Sequence, residues 1–229
     1  MREANGKDFH LGKPGGARRL SYSPLDLRRF PCPSIIQDME ISGWNERYRS
    51  GKRAIEDLGA PPTRLLMETA KHLEPGRALD LACGTGRNAL WLAEHGWSVT
   101  AVDGSPVAID ILRSRASKRA LTVDATVADL EKSEYRIEDS SGDLIAMCYY
   151  LQRNLFEPAK QGVAPGGILL VIVHITEPGG EPTAHRLRPG ELERYFQGWE
   201  ILHHREGKAS DTAHLRPVAE IVARRPIGS

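Results

Sequence analysis

The sequence predicts an α/β fold: a mostly parallel sheet of seven strands with helices on both faces and an antiparallel hairpin at the C-terminus. Three observations predict it. From Arg77 to Asp103 the chain reads R-A-L-D-L-A-C-G-T-G-R-N-A-L-W-L-A-E-H-G-W-S-V-T-A-V-D, which is strand, Gly-x-Gly turn, apolar-periodic helix, and strand ending in an acid. Short apolar strands then continue to alternate with helical segments, the pattern of right-handed crossovers between parallel strands. Finally, two strands close to each other at the C-terminal end are joined by a loop, which fits an antiparallel pair.

Element by element, the aromatic segment Trp44 to Gly51 precedes a helix that begins near Thr63, with Leu65, Leu66, Ala70 and Leu73 apolar and Pro61-Pro62 marking its entry. Leu79 to Ala82 is a buried strand. Arg87 to His95 carries Ala89, Leu90, Leu92 and Ala93 at helical spacing, and Ser98 to Val102 is the second strand, closed by Asp103. Ser105-Pro106 is a capping residue followed by proline in the first turn, so a helix starts there and runs through Ile109, Leu112 and Ala116. Leu121 to Val127 is a third strand. Asp143 to Tyr150 is a fourth, apolar enough to be central. A helix near Leu155 to Gln161 leads to a Pro165-Gly166-Gly167 turn, and Ile168 to Ile175 is a fifth, buried strand. Pro189 starts a helix with Leu192, Tyr195 and Phe196. Glu200 to Arg205 and Val218 to Arg224 are the last strands, joined by the loop Glu206 to Leu215, with Pro217 at a strand start where its missing N–H is tolerated.

At 229 residues the chain is long enough for one domain with a full core. With 31 Lys+Arg against 30 Asp+Glu the net charge is +1, which gives no support for nucleic acid as a partner. No apolar run reaches membrane-spanning length. Cys32, Cys83 and Cys148 are odd in number and scattered, which points to a reducing cytoplasm rather than a disulfide framework. No Cys/His spacing suits a metal. The first 38 residues are rich in Gly, Pro, Arg and Ser without apolar periodicity and are expected to be disordered; the catalytic domain is expected over residues 39–229, with Met39 a candidate natural start. The oligomeric state is not legible.

The chemistry concentrates at the glycine turn. Gly84 and Gly86 remove side chains where backbone must approach a ligand and permit positive φ. Asp103, at the end of the second strand, can accept both hydroxyls of a ribose. A dinucleotide fingerprint has a third glycine where Ala89 stands, although that position tolerates alanine. The acid before the first glycine discriminates better. Asp80 would repel a pyrophosphate but suits the ammonium of a methionyl group, which favours S-adenosylmethionine. The bland alternative is an ordinary strand–turn–helix with no ligand.

These residues carry a family resemblance. D-L-A-C-G-T-G-R-N followed by L-A-E-H-G-W-S-V-T-A-V-D, and later P-G-E-L-E-R-Y-F-Q-G-W-E-I-L from Pro189 to Leu202, resemble the class I S-adenosylmethionine-dependent methyltransferases, and within them the tellurite-resistance TehB family and its thiopurine methyltransferase-like relatives. The resemblance runs from about Trp44 to the C-terminus. It implies a Rossmann-like sheet with S-adenosylmethionine as cofactor. It implies that Asp129 and Leu130 meet the adenine, and that Trp44, Arg47 and Tyr48 belong to an aromatic segment folding over the cofactor, where ring faces suit a sulfonium and Arg47 can pair with the methionyl carboxylate. Packing of Trp44 and Tyr48 within a helix is the alternative. The full cofactor-binding set expected is Trp44, Arg47, Tyr48, Asp80, Gly84, Gly86, Asn88, Asp103, Gly104, Ser105, Asp129, Leu130 and Cys148.

On the acceptor side the candidates are Tyr149 and Tyr150 at the end of the fourth strand and His185 in the loop after the fifth, since open α/β sheets bind ligands outside the carboxyl ends of their strands. Cys83 and Cys148 are read as packing residues rather than nucleophiles. The TehB family carries a His-Arg pair in its last hairpin loop; here Glu206 to Leu215 is shorter and lacks it, with His214 and Arg216 nearby but out of alignment. Met147-Cys148-Tyr149-Tyr150 stands where an Asn/Asp-Pro-Pro-Tyr motif would mark amino-group methylation of adenine or glutamine. The expected function is methyl transfer to a small molecule, a thiol or a chalcogen oxyanion such as tellurite or selenite. A cofactor-binding regulator without turnover and an NAD-linked oxidoreductase are the competing readings.

Overall fold

The computed structural model of the chain describes residues 40–50, 60–177, 179–211, 214 and 216–228. The expected disordered segment 1–38, Met39 and the Gly51-Lys52 end of the aromatic segment lie outside the described residues. The elements run α1 (Ile41–Arg49), α2 (Arg64–Ala70), β1 (Arg77–Leu81), α3 (Arg87–Glu94), β2 (Ser98–Asp103), α4 (Pro106–Lys118), β3 (Asp124–Val127), β4 (Gly142–Cys148), α5 (Phe156–Gly162), β5 (Val163–His174), α6 (Glu191–Arg194), β6 (Glu200–Lys208) and β7 (Pro217–Arg224).

One seven-stranded sheet has the order β3-β2-β1-β4-β5-β7-β6. The first five of these strands are parallel, and β7 pairs antiparallel with both β5 and β6. The side-chain alternation of the strands splits the core into two layers. Leu79, Leu81, Ile145, Met147, Leu169 and Val171 pack against Phe156 and Ala159 of α5 and Leu192 of α6. Ala78, Leu144, Ala146, Ile168 and Leu170 pack against α2, α3 and α4 through Leu66, Ala89, Leu92, Ile109 and Leu112. Helices therefore cover both faces, as the buried parallel strands require.

Apart from shifts of one to three residues at other element ends, such as β4 stopping at Cys148 rather than Tyr150, four differences from the sequence reading stand out. β3 starts at Asp124 rather than Leu121, because Leu121 donates its N–H back to Ala116 O at 3.0 Å in the turn that closes α4. The Pro165-Gly167 turn is an irregularity inside β5: Gly142 pairs with Val163 and Leu144 with Ile168, and Gly166 takes φ +80° in the chain looped out between them. The helix expected from Pro189 begins at Glu191 after a left-handed Gly190. β6 extends to Lys208, since Glu206 and Lys208 still pair with Ala219 and Pro217, so the last loop is shorter than expected.

The sheet order positions the site. From β1 the chain winds outward through β2 and β3, then crosses back to β4 on the other side of β1. That reversal opens a crevice at the carboxyl ends of β1, β2 and β4, where an open parallel sheet holds its ligand.

Candidate functional site

A cleft of about 590 Å³ occupies that crevice. Its floor is the loop between β1 and α3. Ala82, Gly84 and Gly86 all adopt positive φ, at 56°, 55° and 82°. The left-handed Ala82 is unfavourable by roughly 1–2 kcal/mol, and such strain gathers at ligand sites. The turn brings the Cys83 N–H to Val102 O at 3.0 Å, stitching the loop to β2. Gly86 takes the positive φ expected of it and also packs the turn. It lies outside the cleft wall, and a Cβ added there would stand 2.5 Å from Leu112 Cγ, so the missing side chain permits close packing against α4.

Asp103 closes β2 at the centre of the cleft. Its Oδ2 accepts the Gly84 N–H and its Oδ1 accepts the Ser105 N–H, both at 2.8 Å. Both oxygens are thus fixed by backbone, and a carboxylate has further lone pairs to offer to a diol. Ser105 caps α4 through the Ala108 N–H and donates its own hydroxyl to Asn45 Oδ1 at 2.6 Å.

Asp80 is the most unusual group in the cleft. It is 1% exposed, and its Oδ2 has no hydrogen-bond partner. Burial drives its pKa up to about 7; the Ala89 N–H and the Arg87 charge oppose the rise, and Asp103 adds to it. A buried carboxylate with an orphaned oxygen destabilises the fold unless something cationic meets it.

α1 forms one wall. Glu40, Ile41, Ser42, Trp44 and Tyr48 line the cleft from it. Gly104 makes room for this helix, because a Cβ there would lie 2.8 Å from Ile41 Cδ1. Trp44 and Tyr48 rings stand 6.2 Å apart, and Tyr48 is buried, so the segment is at once a packed helix and a cover over the cleft. Arg47 does not reach the wall; its guanidinium lies 5.4 Å over the Trp44 ring.

Beyond Asp103, Asp129 and Leu130 reach the cleft from the end of β3. The Asp129 carboxylate is held by its own turn, with Oδ1 accepting from Glu131 N and Oδ2 3.0 Å from the Lys132 ammonium. Desolvation raises its pKa, but Lys132 and the turn N–H groups outweigh that and leave it below the usual carboxylate value.

The opposite end is aromatic. Cys148, Tyr149, Tyr150 and His214 line it. Tyr149 leaves β4 with φ 61° and stacks on His214 at 3.5 Å with an interplanar angle of 2°. Tyr150 donates its hydroxyl to Gln152 Oε1 at 2.7 Å. Burial pushes the Cys148 thiol up to about 12 and raises both tyrosines, so all three are protonated at neutral pH. Arg87, the first residue of α3, lies 5.5 Å over the Tyr149 ring and pairs with Asp211 of the β6–β7 loop through Nη1 at 2.5 Å.

The structure therefore brings together Trp44, Tyr48, Asp80, Gly84, Asn88, Asp103, Gly104, Ser105, Asp129, Leu130, Cys148, Tyr149 and Tyr150. It does not bring Arg47, Gly86 or His185 to the cleft. His185 sits in the loop after β5, where its N–H donates to Thr183 Oγ1 at 3.2 Å. Arg87, Lys132 and Glu40 were not singled out by sequence reasoning. Arg87 had a signal, since it follows the glycine turn directly, but an arginine at a helix start reads as solvated until its partner Asp211, far along the chain, is known. Among the described residues no group of three metal-ligating side chains converges, and no helix is long and apolar enough to cross a membrane.

An orphaned buried carboxylate, a second carboxylate set for vicinal hydroxyls, and a glycine-bared loop between them fit S-adenosylmethionine, which carries an ammonium, a ribose and an adenine. The comparisons agree with that chemistry. The family model for tellurite resistance protein TehB matches residues 61–213. The chain belongs to the TehB family. The probable S-adenosyl-L-methionine-dependent methyltransferase TehB of Haemophilus influenzae is 25% identical over 150 residues, which cover 62% of this chain and 52% of that protein. The crystal structure of TehB from Haemophilus influenzae superposes with a TM-score of 0.61 at 25% identity, covering 70% of this chain and 61% of that one. The cypemycin N-terminal methyltransferase of a Streptomyces species is 30% identical over 164 residues, 71% of this chain and 60% of that protein. The chain spans about half the length of the TehB relative it matches. The fold is the Rossmann-like one of class I methyltransferases, a mostly parallel seven-stranded sheet closed by an antiparallel pair.

Proposed function

We propose that this chain transfers a methyl group from S-adenosylmethionine to a small, polarisable acceptor, a thiol or a chalcogen oxyanion such as tellurite or selenite. The observation that carries the reading is the pair of carboxylates, Asp80 with an unpartnered oxygen and Asp103 fixed by two backbone N–H groups, on either side of the Gly84 turn. When bound, the cofactor supplies an activated sulfonium methyl. The protein's share is to orient, to exclude water and to neutralise charge.

In this reading Asp80 takes the ammonium, Asp103 the ribose hydroxyls, and Asp129 with Leu130 the adenine, the exocyclic amine competing with Lys132 for the carboxylate. Trp44 and Tyr48 close over the sulfonium from α1. The acceptor end offers Cys148, Tyr149 and Tyr150, all held protonated by burial, so none of them serves as a base. An acceptor that is already nucleophilic at neutral pH suits such walls, which favours soft sulfur, selenium or tellurium over an alcohol. Methylation of a small molecule also fits the dimensions of the cleft, which is of the size that encloses a cofactor and a modest partner.

The test is a panel of thiols, selenite, tellurite and small phenols, scored by methylated product and S-adenosylhomocysteine release. A soft acceptor turning over well above the phenols supports the reading. Cofactor binding with no turnover on any of them favours a cofactor-binding regulator instead.

A further inference from the structure

The cofactor's amino-acid end requires a cation as well as Asp80. An α-amino acid places its carboxylate two bonds from its ammonium, so a group that meets Asp80 through the ammonium carries an anion within a few ångströms of it. Among the described residues only two fully charged cations line the cleft, Arg87 and Lys132. Lys132 is 72% exposed and bound to Asp129 at the far end. Arg87 belongs to the same turn of chain as Asp80, since the Asp80 carboxylate accepts the N–H of Ala89, two residues further along α3. Its side chain is only 13% exposed, and its hydrogen bonds leave from Nη1 alone, to Asp211 and to Pro61 O. The Nε and Nη2 edge is left for a second anion, and a guanidinium grips a carboxylate with two parallel bonds.

We propose that Arg87 binds the methionyl carboxylate and that Asp211, reaching over from the β6–β7 loop, orients the guanidinium for it. Arg87 thereby joins the two halves of the cleft: cofactor on one edge, and on the other the loop that lays His214 on Tyr149. This rests on the cofactor reading above, and it replaces Arg47 in the role expected from sequence.

The test is calorimetric titration of the full chain with three adenosine thioethers. S-adenosylhomocysteine has both ammonium and carboxylate, S-adenosyl-3-thiopropylamine keeps the ammonium but lacks the carboxylate, and 5′-methylthioadenosine lacks both. Arg87→Ala should weaken S-adenosylhomocysteine by at least about tenfold and leave the other two within about twofold of wild type. Arg87→Lys, which keeps the charge without the fork, should lose less. Asp211→Asn should show a smaller loss of the same selectivity. Equal loss of all three ligands in Arg87→Ala and Arg87→Lys, or no loss of any, overturns the assignment while leaving the cofactor reading intact. Failure of the wild-type chain to bind S-adenosylhomocysteine overturns both.

Discussion

Gly84 donates its backbone N–H to Asp103 Oδ2 at 2.8 Å, so the acid that ends β2 is also the clamp on the glycine turn after β1. A single carboxylate thus shapes the loop and presents itself to the cleft. Asp103→Ala should weaken S-adenosylhomocysteine at least about tenfold, since each bond to a charged acceptor is worth about 1.5–3 kcal/mol. The chain should still fold, but melt earlier because the Gly84 and Ser105 N–H groups lose their acceptor. Calorimetry and a thermal scan check both; unchanged affinity in a folded variant removes Asp103 from the site.

Ionised Asp80 opposes stability. Its folded pKa of about 7 stands above the ordinary 3.8, so the folded state takes up a proton more readily than the unfolded one. The stability from this group is full below pH 3.8 and is lost as pH rises through about 7. Asp80→Asn, which removes the buried charge, should therefore raise the melting temperature at pH 8. The same change should weaken S-adenosylhomocysteine. A variant that melts no higher at pH 8 contradicts this account of the carboxylate.

The same group sets a pH dependence of binding. A cationic ligand favours ionised Asp80, so binding at pH 6 should release a proton and affinity should climb with pH until about 7, then level. Titrations at pH 6 in two buffers of different ionisation enthalpy measure the proton directly. Wild type should show release and Asp80→Asn none; release persisting in the variant places the titrating group elsewhere.

Gly86 packs the glycine turn closely against α4. Alanine there would have to hold φ +82° and place Cβ 2.5 Å from Leu112 Cγ. Left-handed strain of roughly 1–2 kcal/mol adds to overpacking of roughly 1–3 kcal/mol. Gly86→Ala should lower the melting temperature clearly, and Leu112→Ala in the same chain should recover part of the packing loss. A Gly86→Ala protein that melts like wild type sinks this reading.

Tyr149 and Tyr150 line the aromatic end of the cleft from one strand terminus by different means. Tyr149 stacks on His214, whereas Tyr150 is tied through Gln152 to Leu130 O. Tyr149→Phe and Tyr150→Phe should change turnover with the acceptor while S-adenosylhomocysteine affinity stays within about twofold. Steady-state kinetics beside titration separates the two effects; normal turnover in both variants removes the tyrosines from the acceptor end.

Much of this was legible because the informative contacts are local. Asp80, Gly84 and Asp103 lie within one strand–turn–helix–strand unit, and Ser105-Pro106 announces α4 by capping chemistry that the structure reproduces. What stayed hidden depends on distant partners. Arg87 acquires meaning only from Asp211, and His214 only from the short loop that lays it against Tyr149. His185 does not line the cleft, because a loop after a parallel strand can lie over the crevice or beside it, and no residue pattern decides which. The start of β3 was placed three residues early, at Leu121, for a related reason, since an apolar residue can cap the turn that follows a helix as well as open a strand.

In the proposed reading Asp80 and Asp103 build a site for an aminoacyl nucleoside rather than for a dinucleotide. Titrating the wild-type chain with S-adenosylhomocysteine and with NAD in parallel tests it most directly. Saturable one-site binding of S-adenosylhomocysteine, lost in Asp103→Ala, with no measurable heat from NAD at the same concentrations, is the predicted result. NAD binding as tightly, or S-adenosylhomocysteine not binding at all, would contradict it.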